Sequence, residues 1–223
     1  MQVTKEDELK IRNVIKHYGS DVYSGKKTTL VHMEKELNVT RDFLFRVVKD
    51  RKGMNALDIA CQMGRYSFML ADMGIDTVGI DTSVPNLEVA KARLEKDKAE
   101  NLKFLVMDAT KLSFEPMSFD IVLCIELMHH MSNELANKLF EEVLDLAKKG
   151  GFVVIDIKNK FNPYLYYVYR RDDSDNLTLK TRSISFYRKI AERHGFKMVF
   201  KRGLFTPFTQ IEPFIIVAFK RSW

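Results

Sequence analysis

Short apolar runs alternate with amphipathic segments through the middle of the chain, and this alternation restricts the possible folds more than any other feature. Near-continuous apolar runs of this length are typical of strands buried on both faces of a sheet. The segments between them have the spacing of surface helices, which indicates a parallel sheet covered on both sides. The runs comprise residues 56–60, 77–80, 102–107, 119–125 and 151–157, and the helix-like stretches comprise residues 66–73, 84–98 and 133–148.

The C-terminal part of the chain departs from this alternation. A helix-like stretch at residues 185–194 leads to two apolar runs, 196–200 and 214–219, which are separated by a proline-containing turn and by no helix. Strands joined in this way pair antiparallel. The sequence therefore predicts an α/β fold with a doubly wound, mostly parallel seven-stranded sheet and an antiparallel final strand.

Two helix-like segments precede the sheet. The first covers residues 4–18, and the second covers about residues 28–49 with an interruption near Asn38. We therefore expect an N-terminal helical cap at residues 1–53 and a sheet domain at residues 54–223. The connection after the fifth run, about residues 158–184, is long for such a fold and is predicted to form a lid.

Charge and hydropathy narrow the class of protein. The chain has 223 residues and a net charge of +6, and acidic residues are interleaved with its basic clusters. We interpret those clusters as solvated faces in preference to a nucleic-acid or lipid-headgroup surface. No apolar run is long enough to cross a bilayer, and the N-terminus lacks a signal-peptide pattern, so a cytoplasmic protein is expected.

The two cysteines, Cys61 and Cys124, are far apart in sequence and lie in apolar surroundings. This spacing provides neither a disulfide framework nor a set of metal ligands, so no metal site is expected. Both residues follow strands that are neighbours in the predicted sheet. We therefore expect two partly buried, reduced thiols that lie near one another.

Polar residues follow the strands at the edge where open parallel sheets bind ligands. Asp58 begins a turn into a helix, where a ligand can approach the backbone and the helix N-terminus. Asp81 follows the second run, roughly 20 residues beyond that turn, where an acidic side chain can accept both hydroxyls of a ribose. Asp108 follows the third run and Glu126 the fourth.

The segments that follow the strands resemble those of the class I S-adenosylmethionine-dependent methyltransferases, especially the group called type 11. The resemblance covers about residues 54–220 in the family's order and spacing. It implies a Rossmann-like fold, S-adenosylmethionine as the cofactor, and methyl transfer as the reaction. The matching residues are Leu57, Asp58, Cys61, Gly64, Arg65, Tyr66 and Ser67 in the first motif, Val78, Gly79, Asp81 and Ser83 in the second, and Ser118, Phe119, Asp120, Val122, Glu126, His129 and His130 in the fourth.

The resemblance also implies roles for individual residues. Asp58 would orient the Gly64 turn and the methionine amino group, and Asp81 would hold the ribose. Residues 108 and 109 would meet the adenine, and the backbone at residues 124 and 125 would line the methyl-donor slot. The predicted cofactor-binding residues are Asp58, Ala60, Cys61, Gln62, Gly64, Tyr66, Asp81, Thr82, Asp108, Ala109, Cys124 and Ile125.

Two positions depart from the first motif of the family, because Ala60 and Gln62 replace glycines. Alanine is tolerated where the backbone keeps φ negative. Gln62 leaves two alternatives open. Its side chain either swings aside and hydrogen-bonds the methionine carboxylate or a neighbour, or it fills the slot and weakens cofactor binding.

The acceptor is expected to be a small molecule, with an aromatic or apolar one favoured by the aromatic density of the predicted lid. The first half of the predicted lid should form a short helix that begins at Asn162 and Pro163. His129 and His130 are candidate catalytic residues with Tyr23. Adjacent side chains should point apart, which argues against a joint metal site. The substrate candidates are Tyr18, Asn159, Tyr164, Tyr167 and Arg170.

Two other functions stay open at this point. A nucleic-acid methyltransferase is disfavoured by the mild basic excess and by the absence of the Asn/Asp-Pro-Pro-aromatic motif after the fourth strand. A catalytically inactive binding protein with the methyltransferase fold is supported by Gln62. The fold itself does not identify the methyl acceptor.

Overall fold

A computed structural model describes residues 27–163, 165, 180–205 and 212–222 of the chain. Strands and helices alternate from β1 to β5, and the last two strands follow one another directly. The elements are α1 Lys27–Val47, β1 Asn55–Ile59, α2 Arg65–Asp72, β2 Asp76–Asp81, α3 Val84–Asp97, β3 Leu102–Val106, β4 Phe119–Cys124, a 3-10 turn Met128–His130, α4 Asn133–Leu146, β5 Ala147–Lys158, α5 Ile184–Arg193, β6 Phe196–Gly203 and β7 Phe214–Arg221.

Within the described ranges, the sheet has seven strands in the order β3-β2-β1-β4-β5-β7-β6. β1 to β5 pair in parallel, and β7 pairs antiparallel with both β5 and β6. The predicted mostly parallel sheet with an antiparallel final strand is therefore confirmed. The chain runs outward from β1 to β3 and then resumes on the other side at β4, so the switch point lies between β1 and β4.

Helices cover both faces of the sheet. On one face, α4 and α5 pack against alternate strand residues, and Phe140 makes an edge contact with Tyr187 at 5.1 Å between ring centroids. On the other face, α1 and α2 pack on the intervening residues, and Phe43 of α1 stacks on Phe200 at 4.6 Å. Residue Asp58 belongs to this second face, because it alternates with Leu57 and Ile59 along β1.

The second predicted helix is continuous where the sequence suggested an interruption. α1 passes through Asn38 without a break. The Asn38 side chain accepts a hydrogen bond from Arg41 Nη2 at 2.8 Å on the exposed side, so it does not compete with the helix backbone. The first predicted helix, residues 4–18, lies outside the described residues. Among the described residues, no helix has the length and apolarity needed to cross a membrane.

The glycine at position 79 allows α2 to approach the sheet closely. A Cβ atom built on Gly79 would lie 2.7 Å from Ser67 Oγ and 2.8 Å from the Phe104 ring. The same Ser67 hydroxyl contacts the carboxylate at the end of β1, so this close approach positions the candidate site.

Candidate functional site

The loop that follows β1 is tied to the end of β2. Cys61 N donates to Ile80 O at 2.9 Å, and Gln62 N donates to Asp81 Oδ2 at 2.8 Å. Gly64 caps the start of α2 with φ of 80°, and no side chain caps the amides of that helix terminus. The ends of β1 and β2 therefore form one edge, with a helix N-terminus of the kind that favours anions.

The Asp81 carboxylate is oriented by backbone donors. Its Oδ1 accepts from Ser83 N at 2.8 Å, and its Oδ2 accepts from Gln62 N. Burial raises the pKa of Asp81, and the backbone hydrogen bonds oppose that rise. Each carboxylate oxygen can accept a second hydrogen bond, so this acceptor-only group fits the two hydroxyl donors of a ribose. Thr82 lies exposed beside it.

Asp58 links β1 to α2 from inside the protein. Its side chain is 2% exposed, and its Oδ2 accepts from Ser67 Oγ at 2.6 Å. Burial raises the pKa of Asp58 from 3.8 to about 7, although the Ser67 hydroxyl and the charge of Arg65 lower it. Asp58 therefore connects β1 to the first part of α2 through Ser67, and its role at the Gly64 turn and the methionine amino group stays a prediction.

The raised pKa of Asp58 predicts a pH-dependent stability. A carboxyl whose pKa is higher in the folded than in the unfolded chain stabilises the fold below pH 4, and this stabilisation is lost as the pH rises to about 7. The size of the loss is up to about 4 kcal/mol. Asp58→Asn should remove this component of the pH dependence.

Chemical denaturation at several pH values checks this prediction. The unfolding free energy of the wild type relative to Asp58→Asn should fall between pH 4 and 7. Asp76→Asn, at the exposed start of β2, is the matched control. A constant difference between wild type and Asp58→Asn over that range would show that Asp58 titrates normally.

The two residues that replace motif glycines have left-handed backbones. Ala60 has φ of 59° and Gln62 has φ of 52°. The negative φ on which the tolerance of alanine depended is therefore not present at Ala60, because the turn has positive φ at both positions. Non-glycine residues in this region cost of order 1 kcal/mol or more each. The hydrogen bond from Gln62 N to Asp81 helps to hold the strained turn.

This strain predicts that glycine is stabilising at position 62. Gln62→Gly should raise the unfolding free energy by about 1 kcal/mol, because it relieves the backbone and keeps the bond from residue 62 N to Asp81. A denaturant titration measures the change, and Met63→Gly, at a position outside the set of residues with positive φ, should destabilise the chain. Destabilisation by Gln62→Gly would contradict the account of strain.

The other predicted cofactor residues lie along the same edge. Met107 N donates to Asp81 O at 3.1 Å, which brings the end of β3 beside the end of β2. The carboxylate of Asp108 folds back on Thr110, whose backbone N and Oγ1 both lie 2.8 Å from its Oδ1. Ala109, the residue after Asp108, is buried in the core.

The two cysteines are both free and buried. Cys124 is paired with Ile59, two residues before Cys61, so the cysteines belong to neighbouring strand ends as predicted. Burial raises the pKa of both thiols, and nearby carboxylates, including Asp58, add to the rise. At neutral pH they are unreactive thiols, and Ile125 continues the buried run beyond Cys124.

A buried cluster of charged residues lies at the C-terminal ends of β4 and β5. Lys158 Nζ contacts a Glu126 carboxylate oxygen and lies 3.2 Å from Asp156 Oδ2 and 3.9 Å from Glu36 Oε1. The three carboxyl groups lie within 4.8 Å of one another, a spacing that a metal ion would also require. In this structure the Lys158 ammonium supplies the positive charge among them. We call these four residues the charged cluster.

The charged cluster faces His129, which is 4% exposed. His129 Nδ1 lies 3.6 Å from Asp156 Oδ2, and Nε2 lies 3.9 Å from Glu126 Oε2. Glu126 N donates to Asp156 Oδ1 at 2.7 Å, and Glu126 has φ of 62°. Both imidazole nitrogens therefore face carboxylates, and this arrangement can hold and move a proton.

The two histidines do not point apart as the sequence suggested. Their ring centroids lie 4.0 Å apart with the planes tilted by 44°. They belong to a 3-10 turn, where the side-chain directions differ from those of a strand or an α-helix. Burial and the neighbouring His129 lower the pKa of His130 well below its ordinary value. His130 is therefore neutral at physiological pH.

Three residues of the charged cluster were not predicted as site residues. Asp156 and Lys158 interrupt the apolar run of β5, and polar residues at alternate positions of a buried strand are a signal that was available. Glu36 is fully buried on α1, on the same stripe as Thr40 and Phe43. That stripe was visible in the helical spacing, but its partner groups were not.

Another feature of the site is the Tyr66 hydroxyl. Tyr66 is 5% exposed, and its Oη has no hydrogen-bond partner among the described residues. Burial raises the pKa of Tyr66, and the charge of Glu36 adds to the rise. A buried hydroxyl without a partner is costly, so it is suited to a bound ligand.

Four of the five predicted substrate residues lie outside the described side chains, as does the catalytic candidate Tyr23. These four are Tyr18, Tyr164, Tyr167 and Arg170. Asn159 is 3% exposed, and its Nδ2 donates to Glu212 O at 2.9 Å, so it holds two chain segments together. The predicted helix entry is confirmed, because Asn162 Oδ1 accepts from Leu165 N at 2.8 Å and Pro163 is helical.

Comparisons with known proteins show similarity to methyltransferases. The family model described as "Methyltransferase domain" matches residues 56–151. A demethylmenaquinone methyltransferase of Lactococcus lactis is 28% identical over 155 residues, which cover 68% of this chain and 60% of that protein. A ubiquinone biosynthesis O-methyltransferase of Coxiella burnetii is 31% identical over 116 residues, 52% of this chain and 48% of the relative.

Solved structures share the fold. The magnesium protoporphyrin IX methyltransferase of Synechocystis PCC 6803, solved with bound S-adenosylhomocysteine, has a TM-score of 0.72 at 18% identity and covers 100% of this chain and 90% of that chain. An S-adenosylmethionine-dependent methyltransferase of Clostridium acetobutylicum has a TM-score of 0.71 at 14% identity, covering 94% of this chain and 100% of that chain.

The sheet order and the acidic strand ends define a Rossmann-like methyltransferase domain. The match to the family model covers residues 56–151, less than half of the chain, and the similar proteins named above are all methyltransferases. The chain spans about half to three fifths of the length of the two curated relatives.

Proposed function

We propose that this chain transfers a methyl group from S-adenosylmethionine to a hydroxyl of a small ring-containing acceptor. The observation that carries the proposal is the Asp81 carboxylate, which backbone amides orient at the edge next to the switch point. The names of the relatives supply the acceptor class, because the curated ones are quinone-related methyltransferases. A cytoplasmic location stays a prediction from the sequence.

The cofactor residues of the proposal are those whose chemistry matches parts of S-adenosylmethionine. Asp81 accepts the ribose hydroxyls, and the uncapped N-terminus of α2 receives the methionine carboxylate. Asp58 faces the methionine amino group through the turn at Gly64, and residues 108 and 109 border the adenine. When bound, the cofactor supplies an electrophilic methyl group on a sulfonium, so the protein's work is to position the acceptor and exclude water.

His129 is the proton acceptor of the proposal. A hydroxyl that attacks the methyl group must lose its proton, and a positioned imidazole can take it. Asp156 and Glu126 flank the ring and stabilise the imidazolium that forms. Lys158 holds those two carboxylates in place. The Tyr66 hydroxyl is free to hydrogen-bond the ligand in the same region.

A transfer assay tests the function directly. The chain is incubated with methyl-labelled S-adenosylmethionine and, separately, with a panel of hydroxylated quinones and phenols and with total RNA. We expect label in the ring compounds and none in RNA. Label in RNA alone would support a nucleic-acid methyltransferase, and cofactor binding without transfer to any acceptor would favour a binding protein.

A further inference from the structure

Arg182 lies just before α5, at the end of the segment that follows β5, and its side chain binds the turn that carries His129. The residue is 4% exposed. Its guanidinium donates from Nη1 to Met128 O at 2.7 Å, from Nη2 to Met131 O at 2.7 Å, and from Nε to Asn133 Oδ1 at 3.1 Å. The fork therefore binds both ends of the turn and the first residue of α4.

The backbone around Arg182 connects the same turn to the end of β5. Arg182 N donates to Lys158 O at 2.8 Å, and Lys160 N donates to Arg182 O at 3.2 Å. Two residues earlier, Lys180 N donates to His129 O at 2.7 Å. The residue that carries the cluster ammonium and the residue that carries the imidazole are thus both hydrogen-bonded to one short segment, residues 180–182.

We propose that Arg182 is a positioning residue for methyl transfer, which fixes the 128–131 turn so that the His129 imidazole lies between Asp156 and Glu126. The inference rests on the proposed function for the role of His129. A planar fork presents separate nitrogens to the Met128 and Met131 carbonyls, whereas a lysine ammonium offers its three donors from one atom and cannot reproduce this geometry. The chemical groups that Arg182 binds are backbone carbonyls and an amide, so its contribution is geometric.

The conservative variant Arg182→Lys tests the proposal, with Arg188→Lys on the exposed side of α5 as the matched control. We expect Arg182→Lys to lower kcat by about tenfold or more, since small displacements of a catalytic group have effects of this order. The affinity for S-adenosylmethionine should stay within about twofold, because the cofactor edge is held by other residues. In the profile of kcat against pH, the pH at which kcat falls on the acid side should change.

Nuclear magnetic resonance of 15N-labelled histidine gives a readout that needs no turnover. Arg182→Lys should shift the His129 resonance and the pH at which it titrates, whereas Arg188→Lys should not. Asn133→Ala removes only the partner of Arg182 Nε, so it should shift the same resonance less. This second variant keeps the test valid if Arg182→Lys fails to fold. Unchanged His129 resonances in Arg182→Lys and in Asn133→Ala would overturn the positioning role.

The two hypotheses fail in different ways. If Arg182→Lys shifts the His129 resonance but His129→Asn keeps full turnover, the anchor stands and the proposed proton acceptor is wrong. If Arg182→Lys lowers only the melting temperature, with the resonance and the pH profile unchanged, Arg182 is structural and the inference is wrong. Arg188→Lys fixes the size of a non-specific effect in each measurement.

Discussion

Replacing Asp81 with alanine should weaken S-adenosylmethionine binding by about 10²- to 10⁴-fold. Two charge-assisted hydrogen bonds to the ribose are lost, each worth about 1.5–3 kcal/mol before compensation. The variant also loses the bond from Gln62 N, which holds the strained turn after β1. Equilibrium dialysis with labelled cofactor measures the loss.

The fold should survive this change, because burial raises the pKa of Asp81 and makes its charged form costly in the protein. Asp76→Ala, at the opposite and exposed end of β2, is the control and should bind as the wild type does. Asp81→Asn keeps one acceptor oxygen and should lie between the two. Wild-type affinity in Asp81→Ala would remove the ribose assignment.

Replacing His129 with asparagine should lower kcat by about 10²- to 10⁴-fold, the range associated with a positioned general base. The affinity for the cofactor should change little, because His129 lies on the β4 and β5 side of the site. Steady-state kinetics with an acceptor from the transfer assay measures both quantities.

His194→Asn is the matched control, since His194 also lies near two carboxylates, those of Glu141 and Asp145, but at the end of α5. It should have normal turnover. A fall in kcat that is equal for the two variants would indicate a general effect on stability. Normal turnover in His129→Asn would show that positioning alone, without this base, accounts for the reaction.

The sheet was predictable because its signals are local. Apolar runs separated by amphipathic segments determine strands and helices, and the position of Asp81 after the second run follows from that order alone. No crossover helix precedes residue 214, and from this we could predict that β7 pairs antiparallel with its neighbours, which are β5 and β6. Serine caps at positions 83, 132 and 183 mark the starts of three helices and explain why their boundaries lay within a few residues of the prediction.

The charged cluster was not predictable in the same way, because it is assembled by tertiary contacts. Glu36 comes from α1 and Asp156 from β5, about 120 residues later in the chain, and only packing brings them together. The backbone at Gln62 is a second example. Its positive φ is imposed by the tight turn and by the bond to Asp81, against the preference of glutamine.

We expect S-adenosylmethionine to bind at the edge formed by β1, β2 and β4. A crystal structure of the chain with S-adenosylhomocysteine tests this expectation most directly. We predict ribose hydroxyls on the Asp81 carboxylate, the methionine part at the N-terminus of α2, and the Gln62 side chain turned away from the slot. A pocket filled by the Gln62 side chain, or a ligand bound away from Asp81, would contradict the account.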